Sequence, residues 1–226
     1  MSIGTAGSLI MDTASLFFMV GILNYTRLYR KRGRLDDILY FAMIVVNIAM
    51  TAADGLAYYL EGRDLPMVRE TIIAANAVFF AAFALFGYLM MLYLHYRAYG
   101  DSEQLRKIKI PAAIPCALLF ALILLNFWNG WLYTVGEYAI YHSGPLNNLV
   151  FVPTALYFAV GEVLAYKINI RLVALGALLI VSRIGWGFLF RDISSTALTY
   201  TLFLVCIHLH VMNAPLMEDR KWEGTT

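Results

Sequence analysis

The sequence predicts an all-α membrane protein, a seven-transmembrane helix bundle with its N-terminus outside and its C-terminus in the cytoplasm. Three observations predict it. Of 226 residues, 61% are hydrophobic and 14% charged, whereas a soluble domain carries about 25% charged and about 45–50% apolar residues. The apolar residues fall in long blocks, and one bilayer span needs roughly 20 of them. The cations gather on one side of those blocks, as cytoplasmic loops do.

Seven blocks are long enough to cross the bilayer, at about 8–28, 38–60, 71–96, 110–128, 148–166, 172–190 and 194–212. Together they form one domain, 1–213, followed by a short cytoplasmic tail, 214–226. The alternation that marks a transmembrane barrel is absent, so the blocks read as helices. No cleavable signal is visible, because the first block has nothing basic before it and is followed by Arg30, Lys31 and Arg32.

With the N-terminus outside, the first cytoplasmic loop holds Arg27, Arg30, Lys31, Arg32 and Arg34, and the second holds Arg97, Arg106, Lys107 and Lys109. Lys167 and Arg171 lie in the third, and Arg220 and Lys221 in the tail, so thirteen of the 17 Lys and Arg face the cytoplasm. Arg63, Arg69 and Arg191 are outside, and Arg183 lies within a span. Pro111 is expected to open the fourth span. Pro115 and Pro153 lie inside the fourth and fifth, where proline kinks a helix. The outer stretch 129–147 is long enough to shape a site and is rich in aromatic residues. It reads either as an interfacial belt with a turn or as a lid over a pocket, with Tyr141 and His142 as the lid residues.

Charges inside a span cost at least ~2.5–3.5 kcal/mol and face the bundle interior. Asp12, Asp54, Glu162 and Arg183 are the candidates. On depth, Asp54 lies ~9 Å and Arg183 ~12 Å below the outer surface, whereas Glu162 lies ~8 Å above the cytoplasmic one. Arg183 is therefore expected to pair with Asp54, with Asp12 and Asn76 nearby and Tyr58, Trp128 and Trp186 on the rim. The functional reading is an outward-facing pocket for a small ligand; the structural alternative is an ion pair that only fixes helix packing. Gly176-Ala177, Gly185, Gly187, Ala74-Ala75 and Ala81-Ala82 read as close helix contacts.

Several chemistries are argued against. Every lysine (Lys31, Lys107, Lys109, Lys167, Lys221) falls in a loop or the tail, which leaves no Schiff-base lysine for retinal. No His-Glu-x-x-His run, phosphate loop or nucleophile elbow occurs. His208 and His210 are two apart on a helix and diverge. Cys116 and Cys206 read as small core hydrophobes. No catalytic residue, metal or cofactor is expected, and no basic patch suggests nucleic acid.

Distributed features carry a family resemblance. The second span ends Asp54-Gly55-Leu56-Ala57-Tyr58-Tyr59-Leu60-Glu61-Gly62, and the third closes with Tyr93-Leu94-His95-Tyr96-Arg97. The fifth is preceded by Tyr141-His142-Ser143-Gly144-Pro145-Leu146, and the last runs from Tyr200 towards Asn213. Over residues 8–213 the chain resembles the bacterial N-terminal seven-transmembrane sensor region of histidine kinases and GGDEF diguanylate cyclases. The resemblance implies a bacterial plasma-membrane receptor that binds a small or lipid-borne ligand and moves the seventh helix. It also implies a cytoplasmic kinase or cyclase output, in cis or in trans. Homodimerisation is a further expectation. The chain has thirteen residues after Asn213 and no output domain, so it is expected to be either the sensor portion of a longer protein or a receptor acting through a partner. The rival expectations are a small-solute transporter or channel and an accessory membrane subunit. If the seventh helix carries the signal, Val211→Pro is expected to abolish the output response while ligand binding is unchanged; an unchanged response counts against that route.

Overall fold

Backbone amides in hydrocarbon have no partner but the chain itself, so long apolar blocks resolve as helices. The computed structural model describes residues 3–29, 34–100, 102–168 and 196–207. They form α1 (Ile3–Tyr29), α2 (Leu35–Leu60), α3 (Val68–Tyr99), α4 (Ser102–Asn129), α5 (Phe151–Ile168) and α6 (Thr196–Ile207). Between α4 and α5 lie β1 (Tyr133–Val135), β2 (Tyr141–Ser143) and a 3-10 turn, Asn147–Val150. The strands form an antiparallel hairpin with Thr134 opposite His142. Among the described residues, five helices are long and apolar enough to cross a membrane. They correspond to the first five expected spans. The sixth, 172–190, lies outside the described residues, as do the end of the seventh and the tail.

α3 is the central helix, packing against α2, α4 and α5. Its buried Phe80, Phe83, Phe86, Met90, Tyr93 and Leu94 form the middle of the core. Gly87 and Gly161 let α3 and α5 approach closely, since a Cβ on Gly87 would lie 3.1 Å from the Tyr157 ring and one on Gly161 3.0 Å from Met90. Ala75 and Ala82 of the expected alanine pairs are buried as well. Tyr200 of α6 meets the rings of Phe86 (4.7 Å between centroids) and Phe158 (5.6 Å), tying α6 to α3 and α5. α4 leaves Ile110, Ile114, Leu118, Leu124 and Phe127 exposed, a surface suited to lipid rather than water.

The junction between α3 and α4 corrects the expected second loop. α3 runs on to Tyr99, Gly100 ends it in the left-handed conformation (φ 69°), and α4 has begun by Ser102. Arg106, Lys107 and Lys109 are exposed helical residues, and Pro111 lies inside α4 rather than at its start. Exposed polar residues do not break a helix, so the hydropathy boundary and the helix boundary need not coincide. A second consequence of proline appears one turn on. The Tyr157 hydroxyl donates to the Ala112 carbonyl (2.7 Å) and accepts from the Cys116 N–H (3.1 Å). It thus enters the backbone ladder beside Pro115, an insertion of the kind that bends helices. Pro153 sits in the first turn of α5, where it costs no helical hydrogen bond.

Arg97 is also corrected. Sequence placed it in a loop, but its side chain is 2% exposed and its Nη1 lies 3.0 Å from Asp36 Oδ2, which is 1% exposed. Arg34 closes on the same carboxylate from the rim, Nη2 to Oδ2 at 2.8 Å and Nε to Oδ1 at 3.2 Å. Asp36 and Asp37 both lie in the first turn of α2, where the helix dipole favours negative charge. Two ends of the bundle can now be named: an ion-pair end at Asp36 and Arg97, and a hairpin end at β1 and β2. Removing one partner of a buried pair strands the other charge, at about 3–5 kcal/mol. Asp36→Ala is therefore expected to destabilise the protein by about that much in denaturant unfolding in detergent, and Arg34→Ala, an exposed partner, by no more than about 1 kcal/mol. Equal losses would show that Arg34, rather than the buried Arg97, carries the pairing.

Candidate functional site

Hydroxyls and carboxylates inside apolar helices must find partners on a neighbouring helix or on their own backbone. On α1 the buried polar residues Ser8, Asp12 and Ser15 recur at helical spacing, with buried Met19 continuing the row. On α2, Asn47, Thr51 and Asp54 do the same, and half-buried Tyr58 extends the row. Each set lies on one face of its helix, and the two faces meet. Ser8 hydrogen-bonds Tyr58, Asp12 packs on Gly55 beside Asp54, and the Asn47 amide reaches Met19 Sδ at 3.3 Å. The antiparallel register makes a continuous polar seam.

Most of the seam is satisfied locally. The Ser15 hydroxyl donates to Met11 O (2.8 Å) and the Thr51 hydroxyl to Asn47 O (2.8 Å). Asn47 Nδ2 also donates to the Thr201 hydroxyl of α6 at 3.1 Å. Two turns further towards the ion-pair end of α2, the Tyr40 hydroxyl donates to Leu204 O at 3.0 Å. Asp12 differs. It is 2% exposed, and among the described residues neither carboxylate oxygen has a hydrogen-bond partner. Asn47 Oδ1, at the deep end of the seam, is likewise buried without a donor.

The hairpin docks where α2 ends. Glu61, one turn beyond Tyr58 and acting on its phenol electrostatically, accepts the Tyr141 N–H at 3.1 Å. Arg69 Nε donates to Val135 O (2.9 Å), and the Tyr133 hydroxyl donates to Ile73 O (2.8 Å). Burial pushes the Tyr133 phenol up to about 12, so it stays a donor at neutral pH. The buried Asn126 of α4 fixes the base of the hairpin. Its Oδ1 accepts from Leu132 N–H (2.6 Å) and Tyr133 N–H (3.2 Å), and its Nδ2 donates to Tyr133 O (3.0 Å). Gly144 follows because a Cβ there would run into the Trp131 and Gly130 carbonyl oxygens, which gives the Gly144-Pro145 pair a steric reason.

Among the expected site residues, the structure brings Asp12, Asp54 and Tyr58 together. Asn76 is half-buried on α3 and bonds its own helix, Nδ2 to Ile72 O at 2.9 Å. Trp128 is 79% exposed on α4 and forms no rim, because α4 packs on α3 and α5 and not on the seam. Tyr141 stacks on Tyr133 (5.9 Å between centroids), and His142 is exposed on β2. Arg183 and Trp186 lie outside the described residues, as do His208 and His210. Glu162 is half-buried in a narrow pocket between α3, α5 and α6 beside Met90, Leu94 and Phe203, with Oε2 unpartnered. Sequence reasoning passed over Ser8, Ser15, Asn47, Thr51 and Thr201, whose signal was the spacing of polar residues within apolar blocks.

Three hydrogen bonds on one amide make Asn126 the fixing point of the hairpin. Asn126→Ala is expected to weaken hairpin docking by about 1–3 kcal/mol. That should accelerate amide exchange at Leu132 and Tyr133 about tenfold or more, without loosening α3. Unchanged exchange would mean that Arg69 and Tyr133 suffice.

Comparison with protein-family models, curated proteins and solved structures returns no match for this chain.

Proposed function

We propose that the chain is a membrane-embedded signal-sensing receptor module that binds a small ligand at the hairpin end and relays its occupancy through the last span. In this reading the bundle has seven spans and sits in a bacterial plasma membrane. The cation distribution supports a hairpin end outside and an ion-pair end, with Arg34 and Lys167, in the cytoplasm. The output is a histidine kinase or diguanylate cyclase, in cis or in trans.

One observation supports this most: the helix that leads towards the C-terminus is hydrogen-bonded to the seam. Asn47 joins it at Thr201 and Tyr40 at Leu204. A ligand signals only if it prefers one of two packings, and a change in how α1 lies on α2 is felt at Asn47. From there the route to α6 is a single hydrogen bond. The hairpin is anchored to α2 and α3 at the same end of the bundle.

Asn47→Leu removes the bond to α6 and leaves an apolar side chain of similar size in its place. In the native cell it is expected to change phosphotransfer or cyclic-di-GMP output at least about threefold at equal membrane abundance, equivalent to about 0.7 kcal/mol of coupling. Unchanged output would sink the relay. Solute flux in proteoliposomes that requires Asp12 or Asp54 would replace the receptor with a transporter.

A further inference from the structure

The unsatisfied atoms of the seam share one property: Asp12 Oδ1, Asp12 Oδ2 and Asn47 Oδ1 are all acceptors, on residues no more than 2% exposed. Buried acceptors without donors are costly, and a bare carboxylate in hydrocarbon is costlier still. The described side chains offer no relief. The charge acting on Asp12 is that of Asp54, which is of the same sign. Tyr58, Tyr59 and Glu61 are the other ionisable groups at this end of α2 and none carries positive charge, while Arg63 beyond them lies over the exposed Tyr59 ring. α6, the other described helix packed on α1, has no charged residue between Thr196 and Ile207. On α3, behind α2, Arg69 is engaged with the hairpin and Glu70 is acidic. Two carboxylates side by side in a low dielectric do not both remain bare.

We propose that the α1–α2 seam holds a monovalent cation, a sodium ion or a proton, on the Asp12 carboxylate beside Asp54. Asp54 has interactions of its own, so the uncompensated charge is the single one on Asp12. The neighbouring groups, the Ser8 and Tyr58 hydroxyls, are hard oxygen donors suited to an alkali cation rather than a transition metal. Among the described residues, no three His, Cys, Asp or Glu side chains come together to hold one. Gly55 leaves room beside the carboxylate: a Cβ there would sit 3.6 Å from Asp12 Oδ2, in ordinary contact. That this cation is the signal rests on the receptor reading; that it binds rests on the seam alone.

The test uses the whole chain purified in detergent. Thermal unfolding is followed while sodium chloride replaces choline chloride at constant ionic strength, and separately as pH is raised from mildly acidic to mildly alkaline. A sodium site raises Tm by about 2–4 °C or more on saturation, and Asp12→Asn removes the rise. A proton site shows no sodium effect; the folded state then holds a proton that the unfolded state releases, so Tm falls as pH rises, and Asp12→Asn flattens the fall. Either result supports the proposal and names the cation. Should Asp12→Asn fail to fold, Gly55→Ala, whose added methyl fits beside the carboxylate, is expected to weaken the sodium effect by filling that space, or to move the pH-dependent fall to higher pH by desolvating the carboxylate further. Dependence on neither sodium nor pH in the wild-type chain, or effects that neither substitution alters, would overturn the site. Cation binding that leaves native output unchanged would remove the signalling role and leave the site standing.

Discussion

The pairing of Arg97 with Asp36 is the constraint on which the bundle's geometry depends. Both charges are removed from solvent, so neither can be left without the other. The pair joins the last turns of α3 to the first turn of α2, and α2 cannot slide along α3 by a turn without stranding a buried guanidinium. α2 is also the helix that carries Asn47, Thr51, Asp54 and Tyr58. Fixing its height at one end therefore fixes the height of the whole seam, about 27 Å away at Asp54 by the rise of an α-helix. At the other end, Glu61 and Gly62 hold the hairpin, so α2 is pinned twice.

Between those pins, the packing is uneven in a way that suits a relay. α3 is closely packed on three sides, through Gly87 and Gly161 on the α5 side and aromatic rings on the α6 side. α1 has a different environment: it packs on α2 and α6, and much of its surface, including Phe17 and Phe18, is exposed. Its contact with α2 is the polar seam. Interfaces built on hydrogen bonds and an ionisable pair respond to a proton or a cation, whereas an interface of interlocked apolar side chains does not. Charge acting at Asp12 thus falls on the polar contact of α1 with α2, beside the helix that leads towards the C-terminus.

The helical class, the first five spans and the grouping of Asp12, Asp54 and Tyr58 were legible in the sequence, because apolar block length and intramembrane charge are strong local signals. Other features were hidden for physical reasons. Arg97 reads as a loop cation because it follows an apolar block, and only the fold shows that Asp36 lies against it. The turn at Gly100 is shorter than the polar stretch around it, so Pro111 falls inside a helix. Trp128 was placed on the pocket rim by height alone, and height does not say which way a helix faces. Ser8, Ser15, Asn47 and Thr51 are individually weak signals whose meaning comes from the register between two helices. The hairpin was visible only as an aromatic stretch, since its docking depends on Asn126 and on backbone contacts.

A relay through the seam requires that its occupancy change how α1 lies against α6. Pulsed electron resonance between spin labels at Phe17 and Leu202, both exposed, in a background with Cys116 and Cys206 replaced by serine, measures that relation directly. The account predicts two resolvable distance populations whose ratio shifts with sodium or with pH, and a single population once Asp12 is replaced by asparagine. One distance distribution, unmoved by either cation in the wild-type protein, would contradict it.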